Sequence, residues 1–348
     1  MSYLYMVRNT LKFNICCTEE REMKKKIIAL LLILALALTA CGKTDTVENT
    51  DEEDPIIEEP MTEAEKAMAL YKDFLDGKVK VKVTENDYEL TAGNSYTIDE
   101  IATAFIEDDE WKIIGDFTLD HVSYTYTDPD KDGIKMLGVM LSYSMGDSSW
   151  DTDRIILIKA VGDELKYVMQ AASVYRTEAM LYPNGVIRTG GADSAMSYGM
   201  TYYMADAKGN KKFLYDIYYY MGLTDTIIPD AYLPSDIDKA DYPDYLEYIA
   251  EDDYYYSFVR INLAEYDYTN NDSSYYNDFV RNKSRFCFVS PEGEYVPASE
   301  NFDAWYVEAG LKILSEEEAE NLIPNILAEN GIDNQDFEEM PVQWKVLK

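Results

Sequence analysis

The feature that most constrains the fold is a change in the spacing of apolar residues near position 118. From there on, apolar and polar residues alternate in segments 121–127, 136–143, 154–160, 165–171, 198–204 and 211–220. Alternation with a period of two is typical of β-strands that bury one face. Turn-forming residues separate these segments, among them Gly162, Asn184-Gly185 and Gly209. The sequence therefore predicts an antiparallel meander.

Helices are predicted on both sides of the meander. Capping boxes, in which Ser or Thr precedes Glu by three residues, begin at Thr62, Thr97 and Ser315. We expect Pro324 to kink or shorten the last helix. After position 222 we also expect a helix at 244–251 and a strand at 284–289. The expected class is α+β, with antiparallel β-meander sheets, an N-terminal helix and flanking C-terminal helices in one large domain over residues 62–348.

A stretch near the N-terminus predicts export. Three lysines at 24–26 precede residues 27–40, which are apolar apart from Thr39. Fourteen residues suit the apolar region of a signal peptide and are too few for an ordinary transmembrane helix. We expect residues 23–40 to be the signal peptide. The mixed-charge residues 1–22 are then expected to be a leader before the true start at Met23.

The end of this stretch, Leu38-Thr39-Ala40-Cys41, resembles the lipobox of bacterial lipoproteins. The resemblance implies that the chain is cut before Cys41 and that the Cys41 thiol carries a diacylglycerol. The protein would then be anchored to the extracytoplasmic face of the cell membrane. Two or three acyl chains hold a protein on a membrane stably, whereas a single chain gives marginal binding. The alternative is an ordinary signal peptide followed by a chance cysteine.

The segment after the anchor is predicted to be a disordered tether. Residues 41–61 contain eight acidic residues and no aromatic residue. Such a segment cannot bury enough apolar surface to fold, and repulsion between its like charges extends it. We therefore expect residues 41–61 to lift the folded domain off the bilayer.

The charge of the protein limits its partners. The net charge is −35, and it becomes −38 without residues 1–40, which hold six basic and three acidic residues. A field of this sign opposes binding to nucleic acid. It suits a neutral or cationic ligand, bound metal ions, or solubility alone. After Cys41 the chain has one cysteine, Cys287, which we expect to be a buried apolar residue. An exported protein without disulfides is typical of a Gram-positive source.

One loop has the pattern of a calcium ligand set. Asp128, Asp130 and Asp132 precede Gly133, as in the first half of an EF-hand loop, where carboxylates at positions 1, 3 and 5 converge on the ion. Position 12, where an EF-hand has a bidentate Glu, is Val139. The sequence thus predicts a calcium site that needs a further ligand. The alternative is a polar turn between two strands.

The same region resembles a loose family of surface lipoproteins from gut clostridia. The resemblance rests on the acidic loop, on 184–187 (Asn-Gly-Val-Ile), on Gly190-Gly191, on Tyr202-Tyr203 and on Asp206 with Gly209. It covers about residues 120–215. Members of the family commonly continue the acidic loop with Glu-Leu, where this chain has Met136-Leu137. The resemblance implies no particular activity.

Tyrosine is concentrated in one part of the chain. Fifteen of the 31 tyrosines lie between positions 215 and 276, with triplets at 218–220 and 254–256. Tyrosine rings beside acidic residues commonly form surfaces for sugars or peptides. Tyrosine is also a good strand former, which explains many of these residues without a ligand. Because a triplet in a strand points rings to both faces, we expect some of these rings to be exposed or to meet a partner.

Two classes of function remain. The first is a binding or structural surface lipoprotein with a glycan or peptide ligand. The second is an extracytoplasmic hydrolase of the glycosidase type, which needs two carboxylates across a cleft. The chain has one histidine, His121, and no Gly-x-Ser-x-Gly sequence, so no catalytic residue can be assigned. We therefore expect a binding module more than an enzyme.

Overall fold

Two seven-stranded β-sheets form the framework of the protein in this computed structural model. The structure describes residues 61–87, 89–107, 115–128, 133–146, 151–174, 176–192, 197–221, 257–289, 295–296, 310–332 and 341–348. All of these residues belong to one unit, Met61–Lys348.

The first sheet has the strand order β14-β3-β4-β5-β6-β1-β2. Its strands are β1 (Val81–Lys82), β2 (Ser95–Tyr96), β3 (Thr118–Thr127), β4 (Met136–Ser144), β5 (Asp151–Val161), β6 (Glu164–Ser173) and β14 (Lys345–Val346). Strands β3 to β6 form the predicted antiparallel meander. Strand β1 pairs with β6 in parallel, which the spacing of apolar residues did not predict.

The second sheet is antiparallel throughout, and its strands follow chain order from β7 to β13. They are β7 (Thr177–Leu181), β8 (Ile187–Ala192), β9 (Ser197–Ala205), β10 (Lys211–Met221), β11 (Ser257–Asn262), β12 (Ser284–Val289) and β13 (Tyr295–Val296). The predicted Asn-Gly turn joins β7 to β8. Gly185 lies there at φ = 76°, a conformation that favours glycine.

Four helices are described: α1 (Glu63–Leu75), α2 (Ile98–Glu107), α3 (Ser273–Lys283) and α4 (Glu316–Glu329). The predicted capping boxes begin α1 and α4, and the same pair of bonds links Thr97 and Glu100 at the start of α2. Helix α4 continues past Pro324 to Glu329, so Pro324 does not end the helix, and the alternative that it kinks the helix stays a prediction. Helix α3 was not predicted, and the expected helix at 244–251 lies outside the described residues.

Three apolar layers cover the sheet faces. One face of the first sheet packs against α1 and α2 through residues such as Tyr71 and Phe105. Its other face packs against the second sheet, where Leu157 of β5 and Leu181 of β7 belong to one cluster. The outer face of the second sheet packs against α4 through Leu327. This arrangement confirms the α+β class with an N-terminal helix and antiparallel sheets.

Candidate functional site

The predicted lipidation site lies outside the described part of the chain. Leu38, Thr39, Ala40 and Cys41 all precede residue 61, so lipidation stays a prediction. Among the residues that the structure describes, no helix is both long and apolar enough to cross a membrane.

The acidic loop begins where β3 ends. The Oδ1 atom of Asp128 is buried and forms no hydrogen bond within the described residues. Asp130 and Asp132 lie outside the described residues, so their convergence with Asp128 stays a prediction. Val139, at the twelfth position, is fully buried in β4 and cannot ligate an ion. No group of three or more acidic, His or Cys side chains suited to a metal occurs within the described ranges.

A lysine lies beside this loop. Lys159 of β5 is 2% exposed, and its Nζ donates a hydrogen bond of 3.0 Å to the carbonyl oxygen of Ile134. Ile134 is the seventh position of the loop, the one that supplies a backbone carbonyl ligand in an EF-hand. If calcium binds at this loop, we expect the ammonium group of Lys159 to compete with the ion for this carbonyl oxygen.

The calcium prediction is tested by removing this competitor. Millimolar calcium should raise the melting temperature of the protein slightly, because an ion that binds only the folded state stabilises it. Lys159→Gln should enlarge the shift, since an ammonium group no longer competes for the Ile134 carbonyl, and adding Asp130→Ala should abolish it. Differential scanning calorimetry measures all three. A melting temperature that calcium leaves unchanged in both the wild type and Lys159→Gln would mean that the loop is only a turn.

A buried polar cluster lies on the inner face of the second sheet. We define this polar cluster as Asp216 of β10, Arg260 and Asn262 of β11, and Ser284 at the start of β12. The four residues are 4%, 5%, 3% and 0% exposed, respectively. Strand pairing brings three of them into one row, because Asn262 lies opposite both Asp216 and Ser284. Burying polar side chains such as these costs free energy unless they form hydrogen bonds.

Hydrogen bonds hold the guanidinium of Arg260 in place. Its Nε donates to Asn262 Oδ1 at 2.9 Å and to Ser284 Oγ at 3.2 Å. Its Nη1 donates to the hydroxyl of Tyr276 at 3.4 Å, and the guanidinium lies 5.9 Å from the centre of that ring. All of these acceptors are neutral. Arg260 makes no salt bridge with any residue that the structure describes.

The carboxyl group of Asp216 is held in an unusual state. Burial raises the pKa of Asp216 to about 7, although the nearby Arg260 and hydrogen bonds from Asn262 lower it. The backbone N–H of Asn262 donates to Asp216 Oδ1 at 3.3 Å. A carboxyl group with this pKa is partly protonated at neutral pH, so it neutralises Arg260 only in part.

A ledge of tyrosines lies next to the polar cluster. We define the tyrosine ledge as Tyr266, Tyr268 and Tyr275. The ring of Tyr266 is stacked on Tyr275 at 5.4 Å and meets the edge of Tyr268 at 4.9 Å. The hydroxyls of Tyr268 and Tyr218 are 3.2 Å apart, and Tyr218 lies opposite Arg260 in the sheet. Tyr268 is 73% exposed. The ledge therefore offers an exposed ring beside a buried guanidinium.

The rings of the tyrosine triplet at 218–220 point to both faces of the second sheet, as predicted. Tyr218 and Tyr220 are stacked on the inner face with ring planes 8° apart. Tyr219 lies on the outer face, in the cluster that contains Cys287. The triplet at 254–256 lies outside the described residues. Exposure of some tyrosines was predicted, but the polar cluster was not, because its members are far apart in sequence.

A second buried arginine gives a useful contrast. Arg154 of β5 donates to both carboxylate oxygens of Glu89, at 2.6 and 2.8 Å, and both side chains are at most 6% exposed. Arg154 thus makes a bidentate ion pair, which Arg260 does not make with any residue that the structure describes. A nearby cleft between Asp87 and Lys211 measures about 60 Å³. Ligand pockets measure about 300–1,000 Å³, so this cleft is smaller than a typical ligand pocket.

Two further residues singled out in the sequence are Cys287 and His121. Cys287 is a free, buried thiol, as expected, and burial raises its pKa to about 12. A thiol with that pKa is not a nucleophile at neutral pH. His121 lies in β3, where the register of the β3–β4 pair shifts.

Comparison of the chain with protein-family models, curated proteins and solved structures finds no match.

The raised pKa of Asp216 is tested by measuring how the free energy of unfolding depends on pH. Because the pKa of Asp216 is raised on folding, the folded state binds its proton more tightly than the unfolded state does. The contribution of Asp216 to the free energy of unfolding is therefore largest below pH 4 and falls as pH rises to about 7. Each unit of pKa corresponds to about 1.4 kcal/mol, so the fall amounts to a few kcal/mol.

Asp216→Asn should remove this fall, so its free energy of unfolding relative to wild type should increase between pH 4 and pH 8. Urea denaturation across that range measures it. Asp278→Asn is the control, because Asp278 is exposed on α3. An equal pH dependence in wild type and Asp216→Asn would show that Asp216 titrates as an ordinary carboxyl group.

Proposed function

We propose that this protein is a membrane-anchored extracytoplasmic lipoprotein whose folded part binds saccharides at the tyrosine ledge. The observation that carries the proposal is the position of Tyr268, which is 73% exposed yet held by a ring contact and a hydrogen bond. Aromatic faces of this kind pack against the C–H faces of sugar rings, and a ring that is already held loses little entropy on binding.

The surroundings of the ledge support a saccharide over a purely apolar ligand. Asp267 and Thr269 flank Tyr268 and are exposed, so a carboxyl group and a hydroxyl group are available at the surface beside the ledge. Sugars are recognised by such groups together with aromatic rings, because each hydroxyl of a sugar both donates and accepts hydrogen bonds. A peptide ligand remains the alternative within this class of binding module.

A hydrolase is the second function considered, and the burial of Asp216 argues against it. A pKa of about 7 would suit a general acid or base. However, Asp216 is 4% exposed, and a catalytic carboxyl group must come within hydrogen-bond distance of the substrate. Binding is therefore the better proposal for this site.

The anchor is tested at Cys41. Cys41→Ala should abolish metabolic labelling of the protein with a fatty acid, because the acceptor thiol is absent. The protein should then be released to the medium or remain as an uncleaved precursor. Cys287→Ala is the matched control and should keep its label. Unchanged labelling of Cys41→Ala, or cleaved and unlabelled protein that is still retained on the membrane, would contradict the proposal.

The ledge is tested with a pair of substitutions at Tyr268. Tyr268→Ala removes the ring and should weaken binding to array-selected saccharides about fivefold, as expected for the loss of roughly 1 kcal/mol. Tyr268→Phe keeps the ring and should bind within about twofold of wild type. Titration calorimetry with the full chain in detergent measures both. Equal affinities of Tyr268→Ala and wild type would exclude the ledge as the binding surface.

A further inference from the structure

An amine, a carboxamide and a carboxylate meet where a turn of the second sheet lies on the first sheet. Lys166 is in β6 of the first sheet, whereas Asp206 and Asn210 belong to the turn between β9 and β10 of the second. Lys166 Nζ donates hydrogen bonds to Asn210 Oδ1 and, at 3.4 Å, to the carbonyl oxygen of Lys208. Asn210 Nδ2 donates to Asp206 Oδ2 at 2.8 Å. The three groups therefore form one chain of hydrogen bonds between the sheets.

The turn itself is held by its own hydrogen bonds. Asp206 Oδ1 accepts from the backbone N–H groups of Lys208 and Asn210, at 2.9 and 2.8 Å. The backbone N–H of Asp206 donates to the carbonyl oxygen of Asn210 at 2.9 Å, and that of Gly209 donates to the carbonyl oxygen of Asp206 at 2.9 Å. The carboxylate and the carboxamide are thus held beside each other by the backbone.

The lysine is also positioned by packing. A Cβ atom placed on Gly209 would lie 3.4 Å from Cδ of Lys166 and 3.1 Å from Cβ of Lys159, so the turn packs closely on both lysines. The hydrogen bond to Oδ1 brings Nζ within about 4.5 Å of Asn210 Cγ, since such a bond spans up to about 3.2 Å and a C=O bond about 1.2 Å. Reacting atoms lie about 3–3.5 Å apart in a near-attack geometry, so a small rotation of the carboxamide completes the approach.

We infer that Lys166 and Asn210 form an intramolecular isopeptide bond that joins the two sheets. The neutral amine of Lys166 attacks Cγ of Asn210 and forms the new C–N bond. The carboxylate of Asp206 takes a proton from the attacking nitrogen and gives it to Nδ2, after which the Cγ–Nδ2 bond breaks and ammonia leaves. One amine and one carboxamide thus yield one amide and one ammonia, and no oxidant, reductant or other reactant is consumed.

Proximity offsets the low reactivity of a carboxamide. Well-oriented intramolecular reactions reach effective molarities of about 10⁵–10⁸ M. Proton transfer by a positioned carboxylate adds a factor of about 10²–10⁴. Only the neutral amine is a nucleophile, and its share in a lysine rises about tenfold for each pH unit below the usual pKa of about 10.4. The bond should therefore form slowly at pH 7 and faster at pH 9.

The cross-link would give the protein a covalent tie between its sheets. Within the described residues Cys287 is a free thiol, so no disulfide provides such a tie there. An amide bond closes the chain between positions 166 and 210 and limits the conformations of the unfolded chain. The linked protein should therefore resist unfolding better than the unlinked protein, and reductants should not reverse this difference.

The test is intact mass spectrometry of the full chain in detergent after incubation at pH 7 and pH 9. A loss of about 17 Da, the mass of ammonia, should accumulate at least about tenfold faster at pH 9. Trypsin should then release a branched peptide in which residues 160–176 are joined to residues 209–211. Absence of both after prolonged incubation at pH 9 would overturn the inference and leave only hydrogen bonds among the three side chains.

Three substitutions identify the reacting groups. Lys166→Arg keeps the charge and the hydrogen-bond donors, but a guanidinium is always protonated, so the mass loss and the branched peptide should both disappear. Lys208→Arg, in the same turn, is the matched control and should keep both. Asp206→Asn keeps an acceptor oxygen for the turn but cannot carry protons, so it should slow the linkage at least about tenfold.

The remaining outcomes are also decisive. Should Lys166→Arg fail to fold, Asn210→Ala removes the carboxamide and should likewise abolish the branched peptide. A loss of about 17 Da that persists in Lys166→Arg would come from a cyclic imide at another asparagine and would overturn the inference. Linkage of Asp206→Asn at the wild-type rate would overturn the role of the carboxylate.

Discussion

Each of the two sheets has two faces, and the need to cover all four faces determines the arrangement of the whole folded unit. Helices α1 and α2 cover one face of the first sheet, and α4 covers the outer face of the second. The two remaining faces meet each other around Leu157 and Leu181. A sheet with an uncovered apolar face would associate with other molecules. The four helices and the stacking of the sheets are therefore one solution to a single requirement.

One part of the second sheet is not covered by apolar residues, and this part is the candidate binding site. At β10 to β12 the inner face carries Asp216, Arg260, Asn262 and Ser284, with α3 and the tyrosine ledge beside it. A row of polar residues in a buried position lowers stability relative to an apolar layer of the same volume. Arg154 and Glu89 show that this protein can bury an ion pair in full. Among the described residues, Arg260 donates hydrogen bonds to neutral groups, and this distinguishes the site from the Arg154–Glu89 pair.

The sequence predicted those elements whose signals are local. Period-two alternation identified β3 to β6, and capping boxes placed the starts of α1, α2 and α4, because these patterns depend on neighbouring residues. The parallel pairing of β1 with β6 depends on contacts between distant residues, so no local pattern could predict it. Helix α3 has only two buried residues, Phe279 and Val280, and hence a weak apolar repeat. The clustering of tyrosines pointed to the region of the site, but the cluster around Arg260 is created by strand pairing alone.

The central claim is that a saccharide binds on the ring of Tyr268. The most direct measurement is a crystal structure of the protein with a saccharide selected on a glycan array. The account predicts a sugar ring packed on Tyr268, with the Tyr218–Tyr268 hydrogen bond kept. A saccharide bound elsewhere on the protein, with no contact to the tyrosine ledge, would contradict it.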